Sequence, residues 1–65
     1  MNNNYRVRLE WTNGRTPQLT ADRCPDYLTA KAKADEWNGE FEDNKITNVV
    51  AVPVMVFVDG TFAYI

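Results

Sequence analysis

Residues 48 to 65 read NVVAVPVMVFVDGTFAYI, with Asp59 as the only charged side chain. So apolar a run in a short chain must cross a membrane, sit inside a core, or fold back on itself as paired strands. Pro53 and Asp59-Gly60 interrupt it well short of the ~20 consecutive apolar residues that a spanning helix needs. Asp-Gly between two extended apolar segments is instead a hairpin signal, because both residues tolerate positive φ. A two-residue turn there sets Phe57 against Phe62, Met55 against Tyr64, Val56 against Ala63 and Val54 against Ile65. Met55, Phe57, Phe62 and Tyr64 then share one face, and Val54, Val56, Ala63 and Ile65 the other. Upstream, Ile46 to Val52 is rich in β-branched residues and reads as a further strand. Pro53, which lacks a ladder donor, marks a bend, a bulge or an edge position.

The other end of the chain carries a second hairpin signal. Tyr5, Val7, Leu9 and Trp11 alternate with Arg6, Arg8 and Glu10, the period of a half-buried strand over 5 to 11. Asn13-Gly14 follows, and Pro17 to Ala21 forms the return strand. A two-residue turn would oppose Leu9 to Gln18 and Arg8 to Leu19, mixing apolar with polar. A three-residue loop, Thr12-Asn13-Gly14, opposes Val7 to Leu19 and Tyr5 to Ala21, and this register is preferred, with Gly14 left-handed in a bulge.

Between the hairpins, residues 23 to 38 read as a helix. Asp22 is its expected N-cap, and Pro25 lies in the first turn, where a missing N–H does no harm. Tyr27, Ala30, Ala34 and Trp37 fall on one helical stripe, and Gly39 is placed to stop the helix. Residues 40 to 45 are a polar connection. The expected fold is therefore α+β: an antiparallel β-sheet with one α-helix packed on one face, in the order β-β-α-β-β. A single domain spans 1–65, with residues 1 to 4 expected to be disordered.

Composition narrows the function classes. The 65 residues are 45% hydrophobic and 25% charged, which is globular rather than disordered. A domain of this size buries only about 60% of its unfolded surface, so the core must be thin. Cys24 is the only cysteine and there is no histidine, so no disulfide, usual zinc site or imidazole base can be built. Cys24, flanked by Asp22 and Asp26 and with no imidazole to activate it, suits a semi-buried filler better than a nucleophile. The chain reads as non-enzymatic, with no cofactor and no metal. The polar start MNNNYRVRLE has no apolar signal region, and the expected location is cytoplasmic. A formal net charge of −2 opposes broad attraction to phosphates, so direct nucleic-acid binding is disfavoured.

Two features suit protein binding. Asp35, Glu36, Glu40, Glu42 and Asp43 fall within nine residues without a Lys or Arg. A solvated helix end explains such a cluster, but Asp35 and Glu36 oppose the macrodipole of the last turns, and docking on a basic partner would give them a purpose. The last hairpin is apolar on both faces, more than one helix can cover. The β-branched face is taken to lie under Tyr27 and Trp37, leaving Met55, Phe57, Phe62 and Tyr64 for a partner; the reverse assignment stays open. If those aromatics share a face with Arg6 and Arg8, they form a stacking platform for single-stranded nucleic acid. The uncharged edge from Thr61 to Ile65 also suits β-addition.

The hairpin, the helix LTAKAKADEWN and the following strand resemble the layout of the small RNA polymerase inhibitors of T7-type phages, over roughly residues 16 to 50. Ala34, Glu36 and Trp37 match an Ala-rich helix ending near Glu-Trp. The chain departs from that family at Ile46-Thr47-Asn48-Val49-Val50, which has no arginine. The layout is also similar to that of some phage anti-CRISPR proteins. The resemblance implies a small non-enzymatic phage-type inhibitor, cytoplasmic in the host cell, that binds a host protein complex handling nucleic acid or defence and blocks it by occlusion. The alternatives are a homodimeric module built on the C-terminal hairpin and, third, a single-stranded nucleic-acid binder. The expected partner-binding residues are Asp35, Glu36, Glu40, Glu42, Asp43, Met55, Phe57, Phe62 and Tyr64.

Overall fold

The computed structural model describes residues 4–65; of residues 1 to 4, expected to be disordered, 1 to 3 lie outside the described residues. It is a small α+β fold with a four-stranded antiparallel sheet and one helix. The elements run β1 (Tyr5–Trp11), β2 (Gln18–Leu19), α1 (Tyr27–Asp43), β3 (Val49–Val56) and β4 (Phe62–Tyr64), and the strands lie in the order β2-β1-β3-β4. The strand expected over 5 to 11 is β1. Asn4 extends its pairing, accepting a hydrogen bond from the Val56 N–H at 2.8 Å.

The long pair at the centre is β1 with β3, in one register from Tyr5↔Met55 to Trp11↔Val49. Val7, Leu9, Val49 and Ala51 from these strands form the core cluster with Ala34 of the helix, and Trp11 and Phe41 pack at its margin. Ala30 is buried as well. Small side chains at 30 and 34 let the helix backbone approach the strands closely. Trp37, expected on the same stripe, is more exposed, and Phe41 takes the core position instead.

The helix differs from expectation at both ends. Cys24 is held extended in a bridge to Tyr5, its N–H donating to the Tyr5 carbonyl at 2.8 Å, so the helix cannot start there. Asp26 rather than Asp22 is the N-cap: its backbone is extended and its carboxylate accepts from the Thr29 N–H at 2.8 Å. Asp22 faces Lys33 at 3.9 Å. Gly39 lies inside the helix, which runs on to Asp43. Its end is a Schellman motif without glycine. Lys45 takes the left-handed conformation at φ 58°, its N–H donates to the Glu42 carbonyl and the Ile46 N–H to the Phe41 carbonyl. The Asn44 side chain adds a bond to the Glu40 carbonyl at 2.8 Å.

The strand expected over 46 to 52 and the first strand of the terminal hairpin are one continuous strand, β3, with Pro53 inside it. Register explains the tolerance. The Ala51 N–H and C=O both bond to the Asn38 side chain, and the Val56 N–H bonds to Asn4, so in β3 odd-numbered backbone groups point away from β1. Pro53 therefore removes no bond from the β1–β3 ladder.

Both hairpins adopt the other register. In the first, Arg8 faces Leu19 and Leu9 faces Gln18, and the preferred pairing of Val7 with Leu19 does not form. No Cα of the helix comes within 8 Å of a Cα of the two-residue β2, so no closely packed face forces Leu19 to point inward. In the second, Val54 faces Tyr64, Met55 faces Ala63 and Val56 faces Phe62, one residue off the expected pairing. The turn is wider than two residues. The Gly60 N–H donates to the Phe57 carbonyl at 3.0 Å, the Phe57 N–H to the Thr61 carbonyl at 2.8 Å, and Gly60 is left-handed at φ 91°. This is a three-residue loop closed by a glycine bulge. Asp59 favours it by accepting from both the Thr61 N–H at 3.0 Å and its hydroxyl at 2.7 Å.

Candidate partner-binding surface

That one-residue shift redistributes every side chain of the last hairpin. Met55 is separated from Phe62 and Tyr64: it pairs with Ala63 and, through Tyr5, belongs to the face of Val7 and Leu9. Phe62 and Tyr64 belong instead with Val54, Val56, Arg6, Arg8 and Glu10. The expected division into an aromatic and a β-branched face does not form, and each face is mixed. Phe57 lies at the base of the turn, 46% exposed, outside both groupings.

On the face of Arg6, Arg8 and Glu10, four side chains interlock across β3. Arg8 faces Val52 and Phe62 faces Val56, yet the Arg8 guanidinium carbon is 4.2 Å from the Phe62 ring centroid. The contact passes diagonally over Val54. Arg8 Nε also donates to Glu10 Oε2 at 3.1 Å, and the Tyr64 hydroxyl donates to the same oxygen. Phe62 and Tyr64 meet edge to face at 5.3 Å. Beneath this lid Val54 is completely buried, 0% exposed, although it points away from the core cluster. The hydrogen bond to Glu10, and then burial and the negative charge, hold the Tyr64 phenol above its ordinary range.

Sequence reasoning named Arg8 only as part of a stacking platform and missed Glu10 and the burial of Val54. The available signal was parity: Arg8 and Glu10 are two apart on one strand, so both face the same way as a paired aromatic once the register is known.

The five acidic residues all lie on α1, because the helix continues to Asp43. Glu36, Glu40 and Asp43 follow at i, i+4 and i+7 on one stripe. All five are exposed. Asp35 bonds to Lys31 at 3.1 Å; among the described residues no ion pair involves Glu36, Glu40, Glu42 or Asp43. No basic residue lies in the last turn of the helix. Like charges at i, i+4 and carboxylates at the negative end of the macrodipole both weaken the helix, by a few tenths of a kcal/mol (about 0.3) for each interaction.

Shallow grooves flank the helix. One is bounded by Leu9, Gln18, Thr20, Asp22 and Trp37, and the Thr20 hydroxyl in it is buried without a hydrogen-bond partner. Another lies between Phe41, Ile46 and Val49 at the Schellman turn. Cys24 is a buried free thiol, 1% exposed. Among the described residues no group of His, Cys, Asp and Glu side chains is arranged to hold a metal ion, and no helix is long and apolar enough to cross a membrane.

No protein-family model, curated protein or solved structure matches the chain.

Proposed function

We infer that this protein is a small non-enzymatic inhibitor that binds a basic site on a protein partner and blocks it by occupying it. The observation that carries the reading is the second half of α1. It presents Glu36, Glu40 and Asp43 on one exposed stripe, none of them in an ion pair among the described residues, at the helix end where they oppose the macrodipole. Carboxylates that weaken their own helix gain their return from a complementary surface, which also steers association. With α1 covering one face of the sheet, the stripe points outward, and the half-exposed Trp37 beside it supplies an apolar anchor. A cytoplasmic, phage-type inhibitor of a nucleic-acid-handling or defence complex is the setting that fits a short acidic chain of this kind.

The test is capture from a host lysate on immobilised protein. The wild type retains a partner that high salt releases, and the triple variant Glu36→Gln, Glu40→Gln, Asp43→Asn does not. Equal capture by the variant removes the acidic stripe from the mechanism.

The single-stranded nucleic-acid reading has one observation in its favour, since Phe62 and Tyr64 do share a face with Arg6 and Arg8. Against it, Arg8 already covers the Phe62 ring and Glu10 stands within the same network. Binding to an oligonucleotide that weakens with salt would revive it.

A further inference from the structure

β4 is the last strand of the sheet, and its outer edge is open. The register fixes the direction of every backbone group on it. Because the Phe57 N–H bonds to the Thr61 carbonyl, Met55 and Ala63, two residues on, also form a hydrogen-bonded pair. Val56–Phe62 and Val54–Tyr64 are then non-hydrogen-bonded pairs. The N–H and C=O groups of Phe62 and Tyr64 point away from β3, and no backbone group of the described residues meets them. Thr61 to Ile65 contains no charged side chain and no proline, two devices that ordinarily keep an edge from pairing.

We propose that this edge pairs with the same edge of a second copy of the chain, antiparallel, about a two-fold axis at Ala63. Parity selects the register. Phe62 and Tyr64 carry the outward groups and lie two residues apart, so Phe62 of each copy meets Tyr64 of the other. Both pairs are hydrogen-bonded, and all four outward donors and all four outward acceptors find partners. Moving the axis by one whole residue leaves a single such pair, and moving it by half a residue sets outward groups against inward ones. At the axis Ala63 meets Ala63 in the narrow type of pair, with Cα atoms about 4.5 Å apart, and the small side chains fit there without crowding. On the open face the Phe62 and Tyr64 rings of the two copies alternate in one ladder, covering the 60% of Tyr64 that is exposed in the single chain. Thr61 faces Ile65 across the flanks, so no charged side chain is buried. The contact is isologous and closes at two, because the opposite edge, β2, is only two residues long and follows Pro17. This inference is independent of the acidic stripe, which lies on the helix.

Sedimentation equilibrium over a concentration series tests it. The apparent mass is expected to double from 7.5 kDa with a midpoint between about 1 μM and about 1 mM, the range of a short interface. Tyr64→Phe, which keeps the ring and the N–H, doubles likewise. Tyr64→Pro deletes an outward N–H without touching the Met55–Ala63 bonds, and it is expected to stay at 7.5 kDa with unchanged helical circular dichroism. Amide exchange in the wild type gives a second readout, with the Phe62 and Tyr64 amides slowing as concentration rises. The inference is overturned by a wild type that stays monomeric throughout, by masses beyond twofold, by a Tyr64→Pro variant that folds and dimerises, or by exchange at Phe62 and Tyr64 that ignores concentration. A wild type that is monomeric alone yet protects those two amides when another protein is added assigns the edge to that protein's strand.

Discussion

The Arg8 guanidinium lies 4.2 Å from the centre of the Phe62 ring, with β3 running beneath the contact and Val54 directly under it. A second small core thus exists on the side of the sheet away from Ala34, roofed by a cation and a ring. Phe62→Ala opens that roof and exposes Val54. The expected loss is about 2 kcal/mol by urea denaturation, below the range for a fully buried phenylalanine because Phe62 is only half-buried. A double-mutant cycle with Arg8→Ala should return a coupling of about 0.5–1 kcal/mol. Additive losses would mean that the stacking carries no energy of its own.

Asn38 acts as a one-residue substitute for a neighbouring strand. Its amide donates to the Ala51 carbonyl at 3.0 Å and accepts from the Ala51 N–H at 2.8 Å. Asn38→Ala leaves both backbone groups without a partner in a part-buried place, and the expected loss is about 1–3 kcal/mol. The accompanying sign is local: the Ala51 amide should exchange much faster, ahead of global unfolding. Asn38→Asp keeps the acceptor but turns a carboxylate oxygen toward the Ala51 carbonyl, so it should not rescue stability.

Gly39 occupies a helical interior, and a Cβ built there meets nothing within 4 Å. Gly39→Ala should stabilise by about 0.5–1 kcal/mol, read as a rise in denaturation midpoint with an unchanged slope. Lys45→Gly removes the strain of a side chain at φ 58° and also the positive charge just beyond the helix end, opposing effects of about 1 and 0.3–1 kcal/mol. A small net gain is expected, and it should grow in high salt.

Titration should show the caps and the lid at opposite ends of the pH scale. The Thr29 N–H holds the Asp26 carboxyl below the ordinary carboxylate range, and the Thr61 hydroxyl and N–H do the same for Asp59. Their stabilisation is present above about pH 4 and is lost as pH falls through the lowered values. Tyr64 is shifted the other way, so the stability it contributes is present below pH 10.0 and is lost as pH rises through its raised value. Absorbance titration of Glu10→Gln should bring the Tyr64 phenol down toward its ordinary range. An unchanged alkaline titration in that variant would show that Glu10 does not engage it.

What could be read from the sequence was whatever a single element decides for itself. The alternation of β1 is visible because both its neighbours and the core act on the same residues, and Ala30 and Ala34 are recognisable as the close side of a helix. The remainder depended on choices between elements. Gly39 looked like a stop until Asn44, Lys45 and Ile46 closed the helix four residues later by bonds that no composition rule signals. Asp59-Gly60 announced a turn, but the choice between a two-residue and a three-residue loop rested on a carboxylate–threonine contact, and that choice decided where Phe62 and Tyr64 point. The acidic residues were found as a cluster; their alignment into a Glu36–Glu40–Asp43 stripe required the longer helix.

Pro53 divides the outer edge of β3 into two territories. Below it the Asn38 amide occupies the backbone of Ala51; above it β4 is hydrogen-bonded from Met55 onward; at residue 53 itself there is no donor for Ile65 to meet. The arriving β4 strand can neither slide down the edge nor displace the amide, so the proline acts as a boundary stop that helps keep Phe62 and Tyr64 on the side of Arg8 and Glu10.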